Sequence, residues 1–523
     1  MRANHLGWAL GSIVALYILS RAAIISTSVS PSRDGGRYFA YASSLHDKPW
    51  IDVIRGSVDH PGYPFVLSAT LTLGENYGVT SRAARVRLAQ VTTAGCGLLM
   101  TVVAYFLARH VWGALVAWSG TVAFVLLPRP MWQTSDILSD PLYAFFWLLA
   151  ALLLVRAISE LEAEARASPH RGLLLASGFV GSLAYWTRVD ALTFAAAAGA
   201  AIAIVGFVER KRPEWSVPQV VKRIAWLSAG FLIGLVLFYL VRGQLSGKPA
   251  TRVFFGFFGE FGGTFGGTAA SASGSQTLAF AASTPGLLSG LKRVVEKFAQ
   301  ELQYVFAVLA ALGAWIALRS GRRRPGGIFL GVAFGVYAAV LSTVSLRAGY
   351  LSSRFVLVLT PAACCLSFYA LFRVGEKVRS ACGLETILAR AVSLRCLISF
   401  GLILGLVVSL PSLLRRQLHD GVHGQNQAVE WIAERLSEGD SLYVENFFSA
   451  YRAGLDERNT GTPFPRRFEA SSRHFAVLNA KDVARNAYLR KGLASRGAAR
   501  VARFPQRPGD DERRVEVYVF SAR

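Results

Sequence analysis

The sequence runs to 523 residues, of which 53% are hydrophobic and only 17% charged. That is too apolar for an ordinary soluble chain, and stretches long enough to cross a bilayer as helices, roughly 17–25 residues each, recur along it. The net charge of +24 does not point to nucleic acid, because Lys and Arg sit in short runs between apolar segments and no nucleic-acid-binding motif is present.

The first apolar run, Trp8 to about Val29, has no small-residue cleavage site and is interrupted by Arg21, so it reads as a retained span. Eleven spans are expected, at roughly 8–29, 86–108, 112–128, 137–155, 172–187, 190–208, 224–241, 299–318, 328–346, 355–372 and 396–414. With the N-terminus in the cytoplasm, the inside segments carry nineteen Lys and Arg and the short outside turns only four. The positive-inside rule therefore fixes that orientation, and an odd number of spans puts the C-terminal tail outside. The expected fold is an all-α polytopic membrane bundle over residues 1–414, with outside loops 30–85 and 242–298, followed by a small extracytoplasmic α/β domain over 415–523.

In that tail, Asn426–Leu436 has helical spacing, and Lys481–Ser495 reads as a second helix. Ser441–Asn446, His474–Asn479, Ala499–Phe504 and Arg514–Ser521 read as strands. Phe254–Gly267 is a Gly- and Phe-rich run, either a flexible connector or a mobile lid at the lipid surface. Of the five cysteines, Cys96, Cys364, Cys365 and Cys396 lie in or beside apolar segments and Cys382 in a basic connector, none with zinc-ligand spacing.

Ionisable groups near the hydrocarbon are functional candidates, and several fall on the outer face. Asp34 opens RDGGRYFAYASSL, where Tyr38, Tyr41, Ala42 and Leu45 have the spacing of a surface-lying helix. Its carboxylate is either a general base or a plain helix cap. Asp59 and His60 sit in the turn DHPGYPF, where two prolines and a glycine hold the chain as it re-enters the membrane. Arg21 lies in the outer half of the first span; Asp136 and Asp140 flank the turn before the fourth span. Arg188 precedes Asp190 by two residues between the fifth and sixth spans, and Arg354 heads the tenth. Each alone is a common helix-end anchor, but all share one face.

This ordered set resembles the GT-C glycosyltransferases, especially the protein O-mannosyltransferase-like glycosyltransferase family 39 and the bacterial lipid A aminoarabinose transferases. The resemblance is carried by Arg21, RDGGRYFAYASSL, DHPGYPF, SDPLY, LAYWTRVDAL and SSRFVLVLTP. It implies a GT-C fold and transfer of a sugar from a polyprenyl-phosphate donor to a glycan, lipid or protein acceptor, with inversion at the anomeric carbon. It implies Asp34 as base, Arg21, Arg188 and Arg354 around the leaving phosphate, and Tyr38, Asp59, His60 and Asp140 in the substrate site. Two pieces depart from the pattern. Gly35 follows Asp34 where family members often carry a second acid, and Gly62 stands where a second proline is common. No cofactor is assigned; Asp34, Asp59, Asp136 and Asp140 are the candidates for one divalent metal, without a DxD in the first two outside loops. Membrane lipids are expected partners and nucleic acid is not. Two rivals fit the membrane bulk. A transporter or flippase of lipid-linked sugars would need neither the acid after the first span nor a folded outside domain. A non-catalytic assembly factor would use its tail to bind a partner.

Overall fold

The computed structural model describes residues 3–28, 30–160, 169–245, 287–319, 325–348, 351–381, 403, 407, 423–444, 447–455, 473–505 and 514–521. Apart from Ile403 and Val407, the expected eleventh span lies outside these residues, as does the Phe254–Gly267 run.

Helix α1 (Ala3–Thr27) is followed by three shorter helices of the first loop, α2 (Arg33–Asp47), α3 (Trp50–Gly56) and α4 (Gly62–Asn76). Next come α5 (Arg82–Trp112), α6 (Ala114–Leu126), the short α7 (Pro128–Gln133), α8 (Asp140–Glu160), α9 (Pro169–Thr187), α10 (Leu192–Val208) and α11 (Val217–Arg242). Beyond the second loop lie α12 (Leu287–Glu301), α13 (Val305–Arg319), α14 (Pro325–Ala348), a 3-10 segment at Ser353–Leu359, and α15 (Thr360–Ala381). Among the described residues seven helices are long and apolar enough to cross a membrane, or eight if the bent pair α12–α13 is one span. The chain is a multi-pass membrane protein. Helices α8, α10 and α14 pack their apolar sides into one large core, where Trp147, Phe194 and Phe329 meet ring to ring.

Three expected spans come out differently. The one at 172–187 forms α9, which is not among those seven helices. Residues 112–128 give a helix of only 13 residues, α6, because Gly113 at φ 90° breaks it from α5 and Pro128 opens the next helix. The span expected at 299–318 is broken. Helix α12 ends at Glu301 and α13 leaves at 112° to it, through Gln303 and Tyr304 in the left-handed region at φ 52° and 56°. The second outside loop therefore ends in a helix whose one side is apolar and whose other side carries Lys292, Glu296 and Lys297. Such a helix suits the interface rather than the hydrocarbon.

The tail forms a four-stranded sheet of order β1-β2-β4-β3, with β1 (Ser441–Val444), β2 (Arg473–Asn479), β3 (Ala499–Pro505) and β4 (Arg514–Ser521). Strands β1 and β2 are parallel; β2–β4 and β3–β4 are antiparallel. Side chains alternate across the sheet. Phe475, Val477, Val515 and Val517 pack against α16 (His423–Ala433), whereas Ala476, Leu478 and Phe520 face α18 (Ala480–Arg485) and α19 (Ala487–Ser495). The single helix expected at 481–495 is two, because Asn486 breaks it and its side chain accepts from Leu489 N at 3.4 Å, as a helix-start residue does. Between β1 and β2, helix α17 (Phe447–Arg452) turns away from the sheet and packs on α2 and α5.

Candidate active site

Ser32, not Asp34, caps α2: its hydroxyl accepts from Gly35 N at 3.2 Å. Asp136 braces the same turn by accepting from Ser32 N at 2.9 Å and Ile137 N at 2.8 Å. Asp136 therefore shapes the site, and the Asp34 carboxylate is left to side chains. Its Oδ2 meets Arg354 Nη2 at 2.6 Å and its Oδ1 meets Arg37 Nη2 at 3.3 Å. Both members of the Asp34–Arg354 pair are about a third exposed, at 31% and 29%.

Arg354 is carried by the 3-10 segment, with Ser352 Oγ accepting from its Nε at 3.3 Å, and it lies within electrostatic reach of Asp140 and Arg188. Arg188 donates from Nη1 to Asp140 Oδ1 at 2.7 Å and from Nη2 to Asp190 Oδ2 at 2.7 Å. Its guanidinium lies over the Phe355 ring at 4.9 Å. Asp140 starts α8 and is buried, with Oδ2 lacking a hydrogen-bond partner. Asp34, Arg354, Arg188 and Asp140, far apart in the chain, thus converge.

Arg37 extends the cluster, with Nη2 3.9 Å from Asp59 Oδ1. Asp59 and His60 are buried in the re-entry turn. The turn is pressed against the end of α9, where a Cβ on Gly62 would stand 2.8 Å from the Trp186 carbonyl oxygen. That close approach explains the glycine at a position where proline was expected. His60 Nδ1 is 2.6 Å from the Tyr185 carbonyl oxygen. A carbonyl only accepts, so Nδ1 carries the proton. The ring stacks on Phe238 at 5.3 Å.

The same turn contains a cation that sequence reasoning missed. Arg242, at the end of α11, is 1% exposed. Its Nη2 donates to the Ser57 and Val58 carbonyls at 2.9 and 3.0 Å, while Nε and Nη1 have no partner among the described residues. In sequence it reads as an ordinary basic residue at a helix end; only its burial marks it. Glu301 was missed for a similar reason. It is 0% exposed, accepts from Gln133 Nε2 at 3.0 Å and lies 3.8 Å from Arg129, with Oε2 unpartnered.

Arg21 is held away from Asp34. Arg21 is 1% exposed and faces the helix interior. Its Nε donates to Thr134 Oγ1 at 3.0 Å, Nη1 donates to the Val125 carbonyl and the Ser20 hydroxyl, and the guanidinium sits 4.1 Å from the Tyr17 ring centroid. It ties α1 to the α6–α7 corner and is not brought to Asp34, because the helix register points it inward. Tyr38 lies at the edge of the cluster: it is within electrostatic reach of Arg188, its hydroxyl accepts from Ser139 Oγ at 2.9 Å, and its ring meets Tyr63 edge-on.

Among the described residues no three His, Cys, Asp or Glu side chains converge as metal ligands would. Asp34 and Asp140 face arginines, Asp59 faces Arg37, and Asp136 accepts from backbone amides. This arrangement does not fit a shared ion held by the four acids.

Below the cluster, α12, α13, α14 and α15 enclose an apolar cavity of about 1290 Å³. Its lining includes Phe298, Tyr337 and Val356, the last two residues beyond Arg354.

No family model matches the sequence and no curated protein matches it. Solved structures do match over nearly the whole chain. ArnT from Cupriavidus metallidurans bound to undecaprenyl phosphate aligns with a TM-score of 0.59 at 15% identity, covering 99% of this chain and 98% of that one. The apo state of the same protein aligns equally well, at 16% identity. The Archaeoglobus fulgidus oligosaccharyltransferase AglB, in complex with an inhibitory peptide and a dolichol-phosphate, aligns with a TM-score of 0.51 at 14% identity, covering 88% of this chain and 61% of that one. The chain therefore shares its fold with ArnT and AglB.

Proposed function

We propose that the chain is a membrane glycosyltransferase that moves a sugar from a polyprenyl-phosphate donor to an acceptor hydroxyl on the extracytoplasmic face, by direct inverting displacement. The observation that carries this reading is the Asp34–Arg354 pair at 2.6 Å, a solvent-reaching carboxylate beside a second arginine–acid pair. Structural neighbours that bind undecaprenyl phosphate and dolichol-phosphate support the donor class. The face follows from the positive-inside count, and residues 415–523 are assigned to the same outside.

A carboxylate and a phosphate compete for the same guanidinium, which holds either through two parallel N–H donors. Donor binding draws Arg354 toward the phosphate and leaves an Asp34 oxygen for the acceptor. The acceptor oxygen then attacks C1, its proton passes to Asp34, and the C1–O electron pair leaves on the phosphate. Arg354, once drawn to the phosphate, and Arg188 stabilise the charge that develops there. Arg242, with two N–H groups to offer, is a further phosphate contact at the Asp59–His60 turn. The apolar cavity suits the carrier's hydrocarbon tail.

The test is Asp34→Asn in proteoliposomes with undecaprenyl-phosphate mannose, glucose and arabinose, reading free undecaprenyl phosphate and glycosylated product by mass spectrometry. The variant is expected to insert and bind carrier normally while turnover falls by about 10²–10⁴-fold. Wild-type turnover by Asp34→Asn removes Asp34 as base. Movement of labelled donor across the bilayer without covalent product replaces the enzyme with a transporter.

A further inference from the structure

The helix that leaves the C-terminal sheet ends at the base. We propose that α17 is a positioning element for Asp34: its aromatic side sets where α2, and with it the carboxylate, stands relative to Arg354. The inference rests on Asp34 being the base and adds a task for the C-terminal unit.

The contact begins at the residues after Asp34. A Cβ on Gly36 would stand 2.7 Å from Phe447 Cβ. One on Gly35 would stand 3.0 Å from both Cβ and O of Ile137, and 3.5 Å from Phe448. Paired glycines in the first turn of a helix cost about 1 kcal/mol each against alanine. The close seat of Ile137, Phe447 and Phe448 accounts for them here, where a second acid would have no room. One turn further, Phe39 receives Phe448 and Tyr451 edge-on at 5.6 and 5.0 Å.

Helix α17 is also pinned independently of α2. Arg82, at the start of α5, donates from Nη1 to the Tyr451 carbonyl at 2.7 Å and lies 5.0 Å from its ring centroid. Phe448 and Tyr451 share one buried cluster with Phe39, Tyr63 and Ile137 of the membrane unit. The opposite side of α17 faces the tail, where Ser449 donates to Asn426 Oδ1 of α16 at 2.6 Å and Ala450 joins the sheet's core. The helix is thus a two-sided wedge between the sheet and the turn that carries Asp34. The Asp34–Arg354 contact joins groups on separate elements, so a shift of α2 of less than an ångström changes it.

The experiment uses the full chain in proteoliposomes with the same three undecaprenyl-phosphate sugars. Phe447→Ala, Phe448→Ala, Phe448→Leu and Gly36→Ala are compared with Asp34→Asn. The alanine variants are expected to lower kcat by about 10–100-fold, the scale of a small misplacement of a reacting group. Donor KM and the Kd for undecaprenyl phosphate stay near wild type. Phe448→Leu, which refills the seat, recovers most of the rate. Amide exchange in residues 33–41 rises in the alanine variants and returns with Leu. The proposal is overturned if kcat per folded molecule is unchanged in every variant, any fall in Vmax then tracking only the lost folded protein. Normal turnover by Asp34→Asn, or a wild type inert toward all three donors, instead overturns the functional reading on which it rests.

Discussion

Arg354 and Arg242 approach the Asp34–Arg37–Asp59 run of charges from different elements and are held in opposite ways. Arg354 is part-exposed and already faces an acid, Asp34, at 2.6 Å. Arg242 is buried, spends one nitrogen on the Ser57 and Val58 carbonyls, and keeps Nε and Nη1 unpartnered. An arginine beside a carboxylate must exchange partners to take a phosphate, whereas one with unmet N–H groups in a buried place gains hydrogen bonds it otherwise lacks. The first arrangement suits a group that acts during the reaction, the second a group that grips the resting donor.

That contrast orders the expected effects. Arg354→Ala should lower kcat/KM by about 10²–10³-fold, mostly through kcat, because it removes charge aimed at the departing phosphate. Arg242→Ala should act first on binding, weakening undecaprenyl phosphate by about 10–100-fold, the worth of charged hydrogen bonds lost from a buried site. Calorimetric titration with undecaprenyl phosphate beside steady-state kinetics separates the two. Equal losses of Kd and kcat in both variants would erase the distinction.

Arg21 sharpens the comparison as a third arginine with no route to the site. Its Nε and Nη1 are taken by Thr134, Ser20 and Val125 and its face by the Tyr17 ring, with Nη2 buried and unpartnered among the described residues. Arg21→Met should lower thermal stability by loosening α1 from the α6–α7 corner, with donor KM and carrier Kd unchanged. A loss of carrier affinity matching that of Arg242→Ala would return Arg21 to the phosphate site.

The three arginines also show what was legible in the sequence. The motif order names Asp34, Arg188, Arg354 and Asp140, and the structure gathers these four, because each sits at an end of an apolar run and such ends meet at one interface. Direction within a helix is a different matter. Arg21 and Arg242 differ from surface anchors only in burial, which depends on neighbouring helices. The tail strands were legible because alternating side chains select them, with β1 and β2 ending or starting within a couple of residues of expectation. The α12–α13 break was hidden, since Gln303 and Tyr304 adopt positive φ without the glycine that normally signals it. Helix α17 was not seen at all. Six residues carry too little periodicity to be read as a helix, and its importance lies in what it touches.

The smallest expected effect comes from an arginine cluster with a structural task alone. In β4, Glu516 is buried and bound by Arg500 at 2.9 Å, Arg503 at 3.1 Å and the Tyr518 hydroxyl at 2.6 Å. Burial by itself would raise its pKa; the Tyr518 hydrogen bond and the two arginines outweigh that and hold it below the usual glutamate range. Burial and the same bond push Tyr518 up to about 12, so its hydroxyl remains a donor through neutral pH. A depressed folded pKa means the stabilisation is present above the unfolded value, about 4.3, and is lost as pH falls through the folded one. The sheet should therefore loosen below about pH 4, read as faster amide exchange in β3 and β4. Glu516→Gln should cost about 1 kcal/mol, reduced by the exposure of both arginines, and flatten that acid dependence. Transfer at neutral pH should be untouched, because no phosphate or acceptor is asked to displace this acid. A drop in kcat for Glu516→Gln would mean that strain in the sheet reaches Asp34 through α17, and that the rim and the tail respond as one unit.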